Sequence, residues 1–357
     1  MLLKRIDSVI GPIAIALLPT PVVPSGPQLY SNFLVIRPGG MGDAILLIPA
    51  LSALKQKHPD ARITVLAEKR NAAVFDLTDV VSEVLLYHKR ADLVAALQGG
   101  YDVVLDTEQW HRLSALVARL VRAPVSIGFG TNERKRMFSN SVAYSHGDHE
   151  TRSFFNLTEP LGVLTPQEVA VPFLRVPEQA ASRREQLLAP LSGSPYVVVF
   201  PGATVAEKRW GVEKYRELVS RLNSLSIPVV AVGGREEVND AERIVSHGAN
   251  VNLAGRTSLA ETAALIEKAQ LLVTCDSGVM HLAYGLGTST VSLFGPSNAQ
   301  KWGPSGEKHL IVSRKLSCSP CSRFGYTPRC PSQIACMAEL SVDEVCAAVE
   351  CLLGAAR

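Results

Sequence analysis

Two short segments hold the residues best suited to chemistry in this 357-residue chain. The first runs from Pro38 to Asp43 (PGGMGD) and the second from Asp276 to His281 (DSGVMH). Each follows an apolar, β-branched run and opens an apolar helical pattern. A strand that ends in a glycine-containing turn before a helix leaves backbone N–H groups unpaired, with the positive end of a helix dipole behind them. The repeated arrangement predicts an anionic ligand held between two α/β domains.

In the first segment, Asp43 is the candidate catalytic base. The dipole of the helix that begins here favours the ionised carboxylate, which can accept a proton from a hydroxyl. An ordinary helix N-cap is the alternative. Gly40 and Gly42 supply part of a dinucleotide-binding fingerprint, and Glu68 stands where its ribose partner would lie. However, Ile45 occupies the third glycine position, and the Asp43 carboxylate would repel a pyrophosphate.

The second half offers further polar groups after predicted strands. Thr204 and Lys208 combine a hydroxyl with a cation near one strand end, which suits a phosphate group; a surface lysine is the alternative for Lys208. Glu236 and Glu237 follow a Gly-Gly turn and can hydrogen-bond ribose hydroxyls, or can simply favour the first turn of a helix.

The Asp276 segment is the stronger anion site. Ser277 can cap the following helix, and Gly278 permits close backbone approach. His281 lies one turn further on, either as a phosphate ligand or as an ordinary helix residue. Because no cluster of carboxylates resembles a site for a mobile metal, we expect chemistry that does not need Mg²⁺.

Four thiols lie within 19 residues, at Cys318, Cys321, Cys330 and Cys336. Their number and the CxxC start suit a structural zinc or iron, although the second pair is spaced more widely than usual. Redox-active or simply reduced thiols, and disulfides, are the alternatives. The total of seven cysteines is odd, which is typical of a reducing cytoplasm rather than of a disulfide framework.

The elements that must position these residues alternate between strand and helix patterns, which predicts parallel sheets covered by helices on both faces. The predicted strands are 33–37, 63–67, 84–87, 102–106, 196–200, 229–232, 250–253, 271–275 and 290–294. The predicted helices are 44–57, 71–77, 113–121, 212–225, 239–246, 259–269 and 279–284. We expect one domain over residues 31–175 and a second over residues 176–357.

Composition and charge limit the class of protein. Hydrophobic residues at 47% and charged residues at 19% indicate a globular protein with ample core. A net charge of +3 gives no support for a nucleic-acid partner. The basic residues Arg134, Arg136 and Arg152 are candidate contacts for phosphates of an acceptor, with a solvated surface as the alternative.

Residues 1–30 form a separate segment. Its apolar run over residues 9–18 is broken by Pro12 and is too short to span a bilayer. We expect an amphipathic segment that packs on the protein or rests on a membrane surface, followed by a Pro-rich linker through Pro27. An exported protein with a signal peptide is the alternative.

Taken in order, the motifs resemble the ADP-heptose:lipopolysaccharide heptosyltransferase family, glycosyltransferase family 9. Each motif is weak alone, but together they follow the family's order over roughly residues 33–350. They are Arg37-Pro-Gly-Gly-Met-Gly-Asp43 with Ile48-Pro-Ala-Leu51, Phe200-Pro-Gly-Ala-Thr204 with Lys208-Arg-Trp210, Val232-Gly-Gly234, and Asp276-Ser-Gly-Val-Met-His281 with Phe294-Gly-Pro296.

The resemblance implies a GT-B fold, with two Rossmann-like domains facing each other across a cleft. It also implies an inverting, metal-independent transfer from an ADP-sugar donor, bound by the second domain, to a lipid-linked glycan acceptor, bound by the first. Asp43 would be the general base. The remaining implied contacts are Thr204, Lys208, Ser277, Gly278 and His281 on the donor phosphates, Asp276 on the donor sugar, Glu236 or Glu237 on the ribose, and Gly40, Met41 and Gly42 on the acceptor.

A cytoplasmic protein, peripheral on the inner face of the inner membrane, would fit a lipid-linked acceptor. Other functions remain open from the residues alone. They are a transferase or epimerase that uses a different nucleotide-sugar, an NAD-dependent oxidoreductase, and a non-catalytic nucleotide-binding protein.

Overall fold

The computed structural model describes residues 2–22, 30–323 and 326–355. The chain divides into two compact units, Met1–Ala170 and Val171–Arg357. The sequence-based boundary, between residues 175 and 176, lies close to this division. Most of the predicted Pro-rich linker falls outside the described residues.

The first unit is built on a six-stranded parallel sheet in the order β3-β2-β1-β4-β5-β6. Its strands are β1 (Asn32–Arg37), β2 (Arg62–Ala67), β3 (Glu83–Leu86), β4 (Val103–Asp106), β5 (Val125–Phe129) and β6 (Asn140–Val142). Its helices are α1 (Leu2–Leu17), α2 (Met41–Lys57), α3 (Arg90–Gln98), α4 (Arg112–Val121) and α5 (Glu150–Thr158). Strands β1 and β4 are buried almost throughout, as continuous apolar runs in a covered parallel sheet should be.

The second unit repeats this topology with the order β12-β11-β10-β7-β8-β9, also parallel throughout. Its strands are β7 (Val197–Phe200), β8 (Val229–Ala231), β9 (Val251–Asn252), β10 (Leu271–Cys275), β11 (Thr290–Phe294) and β12 (His309–Ser313). Its helices are α6 (Glu178–Leu187), α7 (Val212–Ser224), α8 (Val238–Ile244), α9 (Leu259–Glu267), α10 (Gly278–Leu286), α11 (Ala299–Trp302), α12 (Ala335–Ala338) and α13 (Val342–Ala355).

In both units the strand order reverses beside the first strand, between β1 and β4 and between β7 and β10. Loops that leave the carboxyl ends of two such strands diverge to opposite faces of the sheet, and the crevice between them is the usual ligand site of an open α/β sheet. Ligand-binding residues are therefore expected on the loops after these four strands.

The N-terminal segment forms α1, which packs against α4. The buried Asp7 carboxylate accepts hydrogen bonds from the backbone N–H groups of Arg112 and Leu113, at 2.6 and 2.8 Å, and so caps the start of α4. Ile15 is 1% exposed and belongs to the apolar core of this unit. Within the described residues, no helix has both the length and the apolar character needed to cross a membrane.

Candidate active site

The turn after β1 places Asp43 at the reversal point of the first sheet. Gly39 has a φ of +103°, a conformation that favours glycine. Gly40 precedes α2 as its N-cap, and a Cβ at this position would lie 3.2 Å from Asp43 Oδ2. Asp43 itself is the third residue of α2, so the structure contradicts the alternative that it is the N-cap.

Burial dominates the electrostatics of Asp43. It raises the pKa of this carboxyl to about 6, with Arg37 acting to lower it and Glu150 and Glu108 raising it further. Burial therefore makes Asp43 a weaker acid than an exposed aspartate at a helix N-terminus would be. At neutral pH most of the carboxyl is still ionised, and it is a stronger base than an exposed aspartate.

A buried polar network that the sequence did not reveal lies in the same unit. The fully buried Glu150 accepts hydrogen bonds from Gln109 Nε2 at 2.6 Å and from the Tyr144 hydroxyl at 2.8 Å. Arg37 is 1% exposed, and its Nη2 lies 3.8 Å from Glu108 Oε2. Burial, and then Glu150, raise the pKa of Tyr144, which favours its protonated, donating form.

One of these residues had a signal in the sequence. Glu108 comes two residues after β4, the strand that pairs with β1, so its position at the reversal point follows once the strand order is known. Glu150 had no comparable signal, because it begins a helix far along the chain from its Gln109 partner.

The three arginines predicted to contact the acceptor differ in their surroundings. Arg134 is fully buried, its Nη2 lies 2.5 Å from Asp106 Oδ2, and its Nη1 donates to the carbonyl oxygen of Phe129 at 2.9 Å. This side chain cannot reach an acceptor, so the prediction for Arg134 is wrong. Arg136 and Arg152 are exposed and remain candidates.

The second unit brings Lys208 and Asp276 together at its own reversal point. Lys208 follows β7, Asp276 follows β10, and Lys208 Nζ lies 2.6 Å from Asp276 Oδ2. Burial acts to raise the pKa of Asp276, but the Lys208 ammonium, which also donates a hydrogen bond to this carboxylate, holds that pKa below its usual value. His281 also acts to lower it. The site therefore has an ionised aspartate among positive and hydrogen-bonding groups.

Helix α10 begins at this cluster. Ser277 is its N-cap, and the Ser277 hydroxyl accepts a hydrogen bond from the backbone N–H of Met280 at 3.3 Å, as the sequence suggested. Gly278 is the first helical residue, and His281 is 4% exposed one turn further on. The backbone amides of the first turn and the positive end of the dipole thus lie beside Asp276 and Lys208, which makes this loop suited to a diphosphate.

The structure separates the two candidate ribose ligands. Glu237 is 8% exposed, and its Oε2 accepts a hydrogen bond from the backbone N–H of Gly234 at 2.9 Å. A Cβ at Gly202 would lie 2.6 Å from Glu237 Oε1, so the loops after β7 and β8 meet at this carboxylate. Glu236 is exposed, as is Thr204 on the loop after β7. Only Glu237 is part of the packed loop structure.

The four clustered thiols line one cavity of about 60 Å³ in the second unit. They differ in burial: Cys318 is exposed, Cys336 is buried, and the Sγ of Cys330 accepts a hydrogen bond from the backbone N–H of Ile334 at 3.3 Å. Burial raises the pKa of Cys321 and of Cys336, which favours their protonated form over the reactive thiolate.

The structure does not show the predicted zinc or iron site. Among the residues that the structure describes, no group of three or more His, Cys, Asp or Glu side chains is arranged to hold a metal ion. All seven cysteines are reduced, so disulfides are absent as well.

Comparison with known proteins gives a consistent picture. The sequence profile of glycosyltransferase family 9 (heptosyltransferase) matches residues 90–327. Lipopolysaccharide heptosyltransferase 3 of Escherichia coli is 27% identical over 287 residues, which cover 74% of this chain and 83% of that protein.

Two solved structures share the fold. The first is ADP-heptose lps heptosyltransferase II of Escherichia coli, with a TM-score of 0.76 and 23% identity over 90% of this chain and 98% of that one. The second is the Escherichia coli heptosyltransferase WaaC with ADP, with a TM-score of 0.71 and 20% identity over 90% of this chain and 99% of that one. These likenesses and the two parallel sheets confirm the predicted α/β class and GT-B fold.

Proposed function

The chain belongs to glycosyltransferase family 9, the heptosyltransferases, and we propose that it moves a heptose or a related sugar from an ADP-sugar to a lipid-linked glycan. The acceptor would be the inner core of lipopolysaccharide or a similar surface glycan. The name of the relative in Escherichia coli, a lipopolysaccharide heptosyltransferase, supports this acceptor class. ADP in the WaaC structure supports the donor class.

The observation that carries the proposal is the half-buried Asp43 carboxylate in the first turn of α2, with a pKa raised to about 6. A hydroxyl must lose its proton as it attacks an anomeric carbon, and a carboxylate of raised basicity accepts that proton at neutral pH. Asp43 would take the proton while the acceptor oxygen forms its bond to the anomeric carbon. The bond from that carbon to the ADP oxygen breaks, ADP leaves with the electron pair, and the configuration inverts.

The second unit would hold the donor. Lys208, His281 and the first-turn amides of α10 would stabilise the negative charge that develops on the departing diphosphate, a role that positioned cations and backbone N–H groups can fill without a metal ion. Thr204, Ser277 and Gly278 would add phosphate contacts. Asp276 would contact the donor sugar, and we place Glu237 rather than Glu236 at the ribose because Glu237 joins the two loops.

The acceptor would be bound by the first unit. Gly40 is the N-cap of α2, and Met41 and Gly42 are its first two residues, directly before Asp43. We assign these three residues to the attacking end of the acceptor. Arg136 and Arg152 are exposed cations of this unit and would contact acceptor phosphates. A cytoplasmic location would give the enzyme both ADP-sugars and a lipid-linked acceptor.

Nucleotide preference tests the proposal first. We expect calorimetry to show that ADP binds the full chain at least about tenfold more tightly than UDP or NAD, a difference of about 1.4 kcal/mol. ADP-heptose and a lipopolysaccharide acceptor should then give ADP release and a glycosylated product. A preference for UDP would exclude the ADP-sugar donor, and a preference for NAD would exclude sugar transfer. Binding of ADP without transfer to any core acceptor would indicate a non-catalytic protein.

A further inference from the structure

Helix α1 has two different faces. Asp7 and Ile15 lie on the face that packs on the first unit, where both are buried. Ile10, Ile13 and Leu17 are 53%, 60% and 79% exposed. Spacings of three and four residues place these three side chains on one side of the helix. The exposed side of α1 is thus a stripe of large aliphatic groups.

Two further aliphatic side chains are exposed on segments near the end of α1. Val22, after the end of α1, is 85% exposed, and Leu120 on α4 is 48% exposed. Arg119 donates a hydrogen bond from Nε to the carbonyl oxygen of Pro19 at 3.0 Å, which brings the last turn of α4 beside the chain that leaves α1. Clustered aliphatic groups in water are unfavourable and usually mark a surface that something covers.

Exposed cations lie on the elements beside α1. Helix α1 packs against α4 and against the short 3₁₀ turn Glu133–Met137. Within these elements Arg112 is paired with Asp7 and Glu133, and Arg134 is buried against Asp106, so neither adds free positive charge to the surface. Arg122, directly after α4, and Lys135 and Arg136 on the turn are exposed. An aliphatic stripe bordered by cations is the pattern of a helix that lies in the interface of an anionic membrane.

We propose that the exposed face of α1 docks on an anionic phospholipid surface. The stripe of Ile10, Ile13 and Leu17 enters the boundary between headgroups and acyl chains, and the neighbouring cations contact lipid phosphates. A second copy of the chain is a poor occupant, since pairing the same face would bring like charges together. The Asp7 cap on α4 fixes α1 to the unit, so docking orients the whole unit on the membrane.

Vesicle flotation with the purified full chain tests this surface directly. We expect binding to phosphatidylcholine vesicles that contain about 30 mol% phosphatidylglycerol, little binding to phosphatidylcholine alone, and release at high salt. The triple variant Ile10→Gln, Ile13→Gln, Leu17→Gln should bind at least about tenfold more weakly, because the buried apolar area is lost. The pair Arg122→Glu, Lys135→Glu should weaken binding by at least about fivefold for each cation removed.

Matched controls separate docking from general effects. Leu164 and Leu225 are 80% and 55% exposed elsewhere on the chain, and the variant Leu164→Gln, Leu225→Gln should bind vesicles as the parent does. Glutamine preserves helix propensity, and circular dichroism with a thermal melt establishes that each variant is folded.

Three results would overturn the membrane surface. They are equal binding to neutral and anionic vesicles, unchanged binding by the folded triple variant, and a dimer of the parent that the triple variant converts to a monomer. Vesicle binding is measured without donor or acceptor sugar. Its failure would therefore leave the proposed sugar transfer intact, and a failure of sugar transfer would leave the vesicle result standing.

Discussion

Lys208 Nζ and Asp276 Oδ2 form an ion pair at 2.6 Å. The two residues lie on the loops after β7 and β10, where the second sheet reverses its strand order. Their side chains are 21% and 9% exposed, so the pair is largely withdrawn from water. The sequence assigned them separate ligands, a phosphate for Lys208 and a sugar for Asp276. The Lys208 ammonium favours the ionised form of Asp276, which leads to a pH-dependent prediction.

Lys208→Met should weaken ADP binding and destabilise the fold. Loss of one charge-assisted contact predicts an affinity roughly 10- to 100-fold lower. Without its cation, the buried Asp276 carboxylate costs about 2–3 kcal/mol of unfolding free energy at pH 7. The pKa of Asp276 is lowered in the parent, so its stabilising effect is present at neutral pH and is lost as pH falls below the ordinary value of 3.8.

Urea titrations at pH 7 and near pH 3 check this dependence. The difference between the parent and Lys208→Met should be large at pH 7 and small at low pH, where Asp276 is protonated in the variant. Lys268→Met is the control, because that side chain is 60% exposed. An equal loss of stability at both pH values would show that the ion pair is not its source.

Asp43→Asn should abolish sugar transfer and yet stabilise the protein. Loss of a general base lowers the rate by at least about 100-fold, whereas ADP affinity should be unchanged. Burial raises the pKa of Asp43 from 3.8 to about 6, so the ionised carboxylate is disfavoured in the folded state. Its removal should raise the unfolding free energy by about 2 kcal/mol at pH 7 and by little near pH 4.

In the parent enzyme, the rate of sugar transfer should follow the ionisation of the Asp43 carboxyl. Transfer should increase as pH rises through about 6 and then reach a plateau, because the base must be deprotonated. Asp60→Asn, an exposed change in the same unit, should alter neither the rate nor the stability. Retained transfer by Asp43→Asn would exclude Asp43 as the base.

Glu150→Gln should move the pH dependence of transfer to lower pH. The negative charge of Glu150 acts to raise the pKa of Asp43, so its neutralisation should shift the midpoint of the rate profile down by about half a pH unit. A purely structural loss would lower the rate and leave the midpoint in place. Glu168→Gln, an exposed change in the same unit, serves as the control for both the rate and the midpoint.

The elements that carry Asp43 and Asp276 could be predicted from sequence because their patterns are local. β1 and β10 are apolar runs that end in glycine-containing turns, and the predicted strands 33–37 and 271–275 match Asn32–Arg37 and Leu271–Cys275. The strands predicted from sequence omitted β5, β6 and β12. The outer position of β12 at the sheet edge leaves it half exposed and without a continuous apolar run.

Side-chain partners could not be predicted in the same way. Arg134 lies within a run of charged residues that reads as a solvated surface, yet it is fully buried against Asp106. Nothing near Arg134 in the sequence signals a partner 28 residues away. Glu150 likewise has a partner far along the chain that no local pattern signals. Glu236 and Glu237 could not be told apart as ribose ligands from sequence, because adjacent residues share every local pattern.

Glu237→Ala and Glu236→Ala should therefore differ sharply in their effects on unfolding free energy and on ADP binding. Glu237 accepts the Gly234 N–H at 2.9 Å, and its loss should cost about 1–2 kcal/mol of unfolding free energy and weaken ADP binding. Glu236 is exposed, so its replacement should change neither quantity. Urea titration and calorimetry with ADP measure both effects.

A ribose contact can be separated from closure of the turn by comparing ADP with ADP analogues that lack one ribose hydroxyl, the 2′-deoxy and the 3′-deoxy forms. If Glu237 Oε1 binds a ribose hydroxyl, the parent should lose roughly 1–3 kcal/mol of binding free energy with one of these analogues, and Glu237→Ala should lose almost none. Oε2 is already held by the Gly234 N–H, so a turn-closing role alone would weaken all three nucleotides equally. Equal losses in the parent and the variant would place the ribose away from Glu237.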